Sequence, residues 1–358
     1  MPTPPTTGDA AAPELSVVIV SYACRDLLAE CLASLEPQRA DVHMEVVVVD
    51  NASGDGTVET VRQRFPWVVM DAAGENLGFA RANNRAIRAT TGRAVLILNP
   101  DTVVPPGGLR RCLDELWRTP DVGVLSPRLV DPQGRLDRRC KRGFPTLWSS
   151  ICYFTGLDAH LRGPRSTAYT AGTLSEHRAG DVQAVSGAFM LMPRRVLEEV
   201  GLFDEDFFMY AEDLDLCLRV TEHGYRVRYW PGVDVVHVGG GSNVAGRRPP
   251  EANEAFFRTM APFYRKHRPG AGGRVQAAVI WVAAEGMYLA SRLGLRRLSP
   301  HTSDRDAGAG QQAAAVAPVQ PLVKDDGEQP GGRLDEQHLL DAAPGGGEGG
   351  DGQERQRA

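Results

Sequence analysis

The 358-residue sequence predicts an α/β fold with a mainly parallel sheet covered on both faces by helices, and three observations predict it. The apolar runs LSVVIVSY, EVVVVD and AVLIL are continuous rather than alternating, as in strands with no wet face. Segments with helical spacing of apolar residues separate them, as crossovers between parallel strands require. Tyr22, Asp50 and Asp101 each stand at or just beyond the carboxyl end of a predicted strand, where sheets of this kind bind ligands.

The elements come in this order. Leu15 to Tyr22 is β-branched and apolar, a strand, and Leu27, Leu28, Cys31 and Leu35 then recur on one helical face. Glu45 to Asp50 is a second strand, Asn51 to Gly56 a turn rich in Asn, Ser, Asp and Gly, and Thr57 to Phe65 a short helix. A strand at Trp67 to Asp71, a helix around Ala80 to Thr90 and a buried strand at Ala94 to Leu98 complete this half. The last run stops at Asn99-Pro100-Asp101-Thr102, which no core accepts; taken locally, Asp101 is a turn former.

In the second half, Val182 to Met192 is apolar but broken by Ser186 and Gly187. Pro193 is placed to open a helix and Gly201 to end it. In Met209 to Arg219, Tyr210, Leu214 and Leu218 share a helical face, which puts Glu212 and Asp213 near a helix start, where carboxylates complement the dipole. Tyr225 to Trp230 and Val233 to Val238 read as two short strands, the second ending at His237 before GGGSN.

Residues 1–13 and 299–358 are expected to be disordered tails, since Pro, Gly and polar residues there bury too little to offset ordering entropy. Between them lie an α/β domain, 14–245, and a C-terminal helical region, 246–298. The net charge of -5 argues against nucleic acid as a partner. The basic clusters Arg135 to Arg142 and Arg258 to Arg274 read as solvated surface or as sites attracting phosphate or anionic lipid. Six cysteines without a CxxC pair predict reduced buried thiols, with neither a zinc site nor a disulfide framework. The amino terminus lacks a basic stretch followed by an apolar one, so a cytoplasmic protein is expected.

Val275 to Leu295 is long enough to span a hydrocarbon core at about 1.5 Å per residue, but Glu285 near its centre costs roughly 2.5 to 3.5 kcal/mol there. Arg265, Lys266 and Arg268 before it and Arg292, Arg296 and Arg297 after it favour a helix lying on anionic lipid. Packing on the α/β domain is the alternative, and spanning the least favoured.

The residues after the first strand exclude phosphate-binding folds of other classes. SYACRDLL has no glycine where a dehydrogenase carries G-x-G-x-x-G, and no GxxxxGK[ST] occurs anywhere. A nucleotide-dependent oxidoreductase is thereby disfavoured.

Taken together, VVIVSY, VVVVDNASGDGT, ENLGFARANNRAI, LILNPDT, VSGAFMLMPRRVLEEVGLFDEDFFMYAEDLDLCLR and VDVVHVGGGS resemble the family 2 glycosyltransferases. They are most similar to the bacterial rhamnosyltransferases that act on lipid-linked cell-envelope glycans, over about Leu15 to Asn243. The resemblance implies the GT-A, nucleotide-diphospho-sugar transferase fold and an inverting, metal-dependent transfer. It implies dTDP-L-rhamnose as nucleotide-sugar donor, a saccharide or polyprenyl-linked acceptor, and work at the inner face of the cell membrane with peripheral contact.

By the same resemblance, Asn99-Pro100-Asp101 stands where the family has Asp-x-Asp. Only the last acid is kept, so Asp101 is the expected ligand of Mg²⁺ or Mn²⁺, with His237 supplying an imidazole and Asn99 lining the nucleotide-sugar site. Asp50 matches the contact to base or ribose, and Ser21 and Tyr22 line the same pocket, the tyrosine ring stacking on the base. Asn76, Gly78 and Arg81 match the segment where backbone and a basic group approach the nucleotide.

The proton of the acceptor hydroxyl falls to the Glu212-Asp213 pair: Asp213 is the expected base and Glu212 the alternative. Asp215 orients its neighbours or pairs with Arg219 one turn on. His43, His160 and His177 match nothing and are read as surface residues. A catalytically silent, nucleotide-sugar-binding domain is the other reading, disfavoured by the presence of Asp101, Asp213 and His237 together.

Overall fold

The computed structural model describes residues 12–144, 148, 170–171, 173–239, 262–267, 270, 275, 277–279, 281–282 and 285. Both expected tails, apart from residues 12 and 13, lie outside them, as do His160, most of 246–298 and the end of the GGGSN segment.

The first half forms as the apolar runs dictate: β1 (Leu15–Ser21), α1 (Arg25–Leu35), β2 (Met44–Asp50), α2 (Thr57–Arg64), β3 (Val69–Ala72), α3 (Gly78–Arg88) and β4 (Ala94–Leu98). Next come β5 (Thr102–Val103), α4 (Gly108–Arg118), β6 (Val122–Val130), β7 (Lys141–Arg142), β8 (Gly180–Val182), β9 (Ala184–Val185) and β10 (Phe189–Pro193). The last are α5 (Arg194–Val200), α6 (Glu212–Glu222) and β11 (Arg226–His237). The main sheet runs β3-β2-β1-β4-β10-β6-β11-β5, with β8 also on β11; β7 and β9 form a small separate pair.

Alternation along the strands makes two cores, one per face. Leu15, Val17 and Ile19 of β1 pack with Leu28 and Leu32 of α1 and Leu109 and Leu113 of α4. Val18 of the same strand joins Val95 and Ile97 of β4, Ala86 and Ile87 of α3, and Leu214 and Val220 of α6 on the other face. Each such Val, Leu or Ile, fully buried, contributes roughly 1.5 to 3 kcal/mol, which is why β4 is buried along its whole length and β1 at every position but Val20.

The sheet is mixed rather than mainly parallel. Parallel pairing joins β3 to β2, β2 to β1, β1 to β4 and β6 to β11. β10, however, runs antiparallel to both β4 and β6, and β5 and β8 are antiparallel to β11. β10 is entered from residues 186–188, which already lie at the carboxyl end of β4, where the Asn99 N–H donates to Ala188 O at 3.0 Å. The chain can only run back from there.

The two short strands expected after Tyr225 are one strand, β11, with a register irregularity between Trp230 and Asp234. Pro231 lacks a ladder donor, and a Cβ on Gly232 would collide with the Trp230 ring, so the irregularity falls where these residues demand it.

Residues 262–267 are helical, with Phe263 and Tyr264 buried in the α3–α6 core, which Ala277 also joins. Among the described residues no helix is long and apolar enough to cross a membrane. The five described cysteines, Cys24, Cys31, Cys112, Cys140 and Cys217, are free and buried, and burial pushes their thiols up to about 12.

Candidate active site

Strand direction puts the chemistry on one edge. β1, β2 and β4 point the same way; β10 reverses and β6 reverses again, so β6 and its parallel neighbour β11 share the direction of β4. Ser21, Asp50, Asn99 to Asp101, His237 and the segment before β10 therefore meet at a common edge. The start of α6 is tied to it by the Gly187 N–H, which donates to Asp213 Oδ2 at 3.1 Å.

The first group holds the ends of β1 and β2. Asp50, almost wholly buried, accepts from Ser21 Oγ at 3.1 Å, from the Ser53 N–H at 3.0 Å and from Ser53 Oγ, which itself accepts the Ala23 N–H at 3.0 Å. Ala23 and Ala52, on the two connecting loops, have φ of 51° and 60°, a left-handed conformation that residues with a Cβ adopt at a cost. Asn51 reaches across to Gly78 O at 3.1 Å and to the Leu77 N–H at 3.4 Å. Gly78 has φ +77°, and a Cβ there would collide with Phe208 O, so only glycine fits.

Asn76 accepts the Gly78 N–H at 3.0 Å and serves that turn. Tyr22 is 42% exposed beside this group. Arg81 lies outside it: its side chain is 61% exposed and 3.9 Å from Glu205 on the surface.

The second group is His237 with a carboxylate on each ring nitrogen. Nε2 stands 3.3 Å from Asp101 Oδ1 and Nδ1 2.9 Å from Asp137 Oδ2, while Asn99 Nδ2 is 3.5 Å from Nε2. Backbone pairing sets this meeting: Thr102 of β5 is in register with His237, and the Val238 N–H donates to Asp101 O at 2.9 Å. Asp137 is gripped through both oxygens by Arg139 at 2.9 Å. Burial raises the Asp137 carboxyl, but the His237 and Arg139 hydrogen bonds outweigh it and hold the group well below the usual range. Burial likewise opposes a charge on His237, yet Asp101 and Asp137 push it up to about 9.

The chemistry of this set fits a hard divalent cation. Asp101 Oδ1 and His237 Nε2, 3.3 Å apart, would offer such an ion one oxygen and, once the ring gives up its proton, one nitrogen donor. A carboxylate on the far ring nitrogen is the usual support of a metal-binding histidine. Among the described residues no group of three or more acidic, His or Cys side chains is arranged to hold the ion alone, so ligand oxygens would complete the shell.

The third group opens α6. Tyr210 and Ala211 enter the helix with φ of 68° and 70°, a second costly pair. Asp213 accepts Arg142 and Gly187 on Oδ2 and the Leu214 N–H, at 2.8 Å, on Oδ1. Glu212 is buried beside it, with Oε2 lacking a hydrogen-bond partner among the described residues. Burial, and then the Asp213 charge, push the Glu212 carboxyl well above its usual value. Asp215 turns away from the edge and pairs with Arg219, as its spacing predicts, and also with Lys266 and His267.

Sequence reasoning missed Asp137, Arg142 and Gly187. The first two were hidden in RLDRRCKR, whose one acid among five basic residues was the available signal. His43 and His177 are exposed, as expected.

The edge so built joins an acid–imidazole pair to a buried carboxylate pair, on a mixed α/β sheet. A family model described as Glycosyltransferase like family 2 matches residues 12–261. The chain is 32% identical over 298 residues to N-acetylglucosaminyl-diphospho-decaprenol L-rhamnosyltransferase of Mycobacterium tuberculosis, covering 79% of this chain and 93% of that protein. It is 25% identical over 228 residues to rhamnosyltransferase WbbL of Escherichia coli, covering 62% and 82%. The structure of GalNAc-T7 with UDP, GalNAc and Mn²⁺ shares the fold, with a TM-score of 0.50 at 15% identity over 82% of this chain and 53% of that one. The chain belongs to the family 2 glycosyltransferases: it is a glycosyltransferase of GT-A fold, similar to the rhamnosyltransferases of that family.

Proposed function

We propose that this enzyme is an inverting, metal-dependent transferase moving L-rhamnose from dTDP-L-rhamnose onto a hydroxyl of a saccharide carried by a polyprenyl diphosphate, at the inner face of the cell membrane. The names of two relatives support the sugar and the lipid-linked acceptor. The observation that carries the chemistry is the pairing of Asp101 with His237 on the sheet edge to which Asp213 is anchored.

Asp101 and His237 would hold Mg²⁺ or Mn²⁺, which supplies positive charge to the departing diphosphate. Asp137 keeps the His237 ring turned so that Nε2 faces Asp101. Ser21 and Asp50 receive the nucleoside, with the Tyr22 ring free to stack on the base. Asn76 and Gly78 bring backbone close to the donor, Asn99 lines its sugar-phosphate side, and Arg81 offers charge only by leaving Glu205.

Asp213 takes the proton of the acceptor hydroxyl as that oxygen bonds to the anomeric carbon and the carbon–oxygen bond to the diphosphate breaks. With a single base opposite the leaving group, the anomeric centre inverts. Arg142 and the Gly187 N–H fix the carboxylate for this step.

Transfer is measured with a panel of nucleotide sugars and a synthetic GlcNAc-diphospho-polyprenol, with and without EDTA. The expected result is metal-requiring transfer from dTDP-L-rhamnose with the product of inverted configuration. Asp213→Asn is expected to lower kcat by about 10²-fold or more while donor affinity is kept. Turnover indifferent to EDTA, or no transfer from any sugar nucleotide, defeats the reading.

A further inference from the structure

The two acids that open α6 have different surroundings. Asp213 receives a guanidinium from Arg142 and N–H groups from Gly187 and Leu214. Glu212 is 5% exposed; among the described residues it forms no ion pair, and its Oε2 has no hydrogen-bond partner.

The charged groups that act on Glu212 are few. Arg142 of β7 is committed to Asp213 and to Val185 O, at 2.8 Å. Asp213 and Asp215 lie on its own helix, and Asp215 is matched by Arg219, Lys266 and His267. Of the elements that pack on α6, β9 brings only Ala184 and Val185, neither of which titrates, while the cations of β6, β11 and α5 have partners elsewhere. Arg128 pairs with Glu176 and Asp234, Arg226 with Asp121 and Asp181, Arg228 with Glu115, and His237 with Asp101 and Asp137. Arg194 and Arg195 donate to Gly92 O and Pro120 O.

Among the described residues, one guanidinium thus faces two adjacent buried carboxyls. If both were ionised, one charge would stay unmatched in a water-poor corner, which is costly. An ionised Glu212 would also compete for Arg142 and loosen its grip on Asp213.

We propose that Glu212 works as a neutral carboxylic acid, a positioning residue whose retained proton leaves Asp213 the single anion of the pair and keeps Arg142 on it. This rests on the reading of Asp213 as the base. The upward push on the Glu212 carboxyl by burial and by Asp213 agrees with the geometry. Environment, not sequence position, then divides the pair into an anion and an acid.

Three measurements on the full chain and on Glu212→Gln test this. Infrared titration is expected to show a protonated-carboxyl band persisting well above the ordinary glutamate value of about 4.3 that Glu212→Gln lacks. A carboxyl whose folded pKa is raised adds stability that is complete below its unfolded value of about 4.3 and is lost as pH rises through the folded value. The melting temperature of the parent protein is therefore expected to fall relative to Glu212→Gln as pH rises above about 4.3.

In the transfer assay, the alkaline limb of the kcat profile is expected to disappear in Glu212→Gln and to return in Glu212→Asp. The proposal is overturned by a melting difference that does not change with pH, or by an alkaline limb untouched by Glu212→Gln. It is overturned equally by absence of the carboxyl band from the parent protein, a result that needs no variant to fold. The infrared and melting arms use no sugar nucleotide, so a wrong assignment of the reaction leaves them able to decide.

Discussion

Replacing Asp215 by alanine tests how the helix that carries the proton acceptor is held. Asp215 is fully buried two residues after Asp213. Its Oδ1 lies 2.6 Å from Lys266 Nζ and 2.7 Å from His267 Nε2, and its Oδ2 accepts from Arg219 Nε at 2.8 Å. Removing one member of a buried ion pair costs about 3 to 5 kcal/mol, because the remaining charge stays buried.

Two of the three partners have other acceptors. Arg219 donates to Val200 O at 2.9 Å and to Leu202 O at 2.7 Å, and Lys266, 40% exposed, reaches Asp204 at 2.5 Å. The low end, about 3 kcal/mol, is therefore expected. At about 2 to 4 °C per kcal/mol for a domain of this size, the melting temperature should drop by about 6 to 12 °C.

Calorimetry of Asp215→Ala and Lys266→Ala checks this. The lysine change removes a half-exposed partner and leaves Asp215 paired with Arg219 and His267, so it should cost under about 1 kcal/mol. A shift below about 2 °C for Asp215→Ala, or an equal loss for both variants, refutes the claim that a buried carboxylate ties α6 to residues 262–267.

Two further outcomes are expected. Asp137→Asn should weaken Mn²⁺ binding, followed by calorimetric titration, by about 10- to 100-fold, the range for losing the support of a metal-binding histidine; unchanged affinity removes His237 from the metal site. Val275, Val279, Trp281 and Val282 are exposed, the three valines at helical spacing opposite buried Ala277, so the full chain should float with anionic vesicles and a chain ended at His267 should not. Equal flotation of the two would place any membrane contact elsewhere.

Much of the first half was legible because its information is local. Apolar runs such as VVVV at Val46 to Val49 commit those residues to strands wherever the chain goes, and Pro193 and Gly201 bound a helix by backbone chemistry alone. The pairing direction of β10 was not legible, since FMLMP is buried on both faces and carries no alternation to orient it. Nor was Asp137. In a stretch dense in arginine, an acid reads as solvated surface, and only its approach to His237, 100 residues away in the chain, shows that it is held inside.

By itself the sequence determined the succession of strands and helices, the strand-end placement of Asp50 and Asp101, and the acid pair at a helix start. Those arise from periodicity and turn chemistry, which act over a few residues. Only the tertiary structure decided which carboxylate has a cation. It brought Arg142 to Asp213 and not to Glu212, put Asp137 behind His237, and set Thr102 in register with His237 so that Asp101 faces the imidazole. The physical reason is that a buried charge is governed by its neighbours within a few ångströms, and those neighbours come from parts of the chain that no local pattern connects.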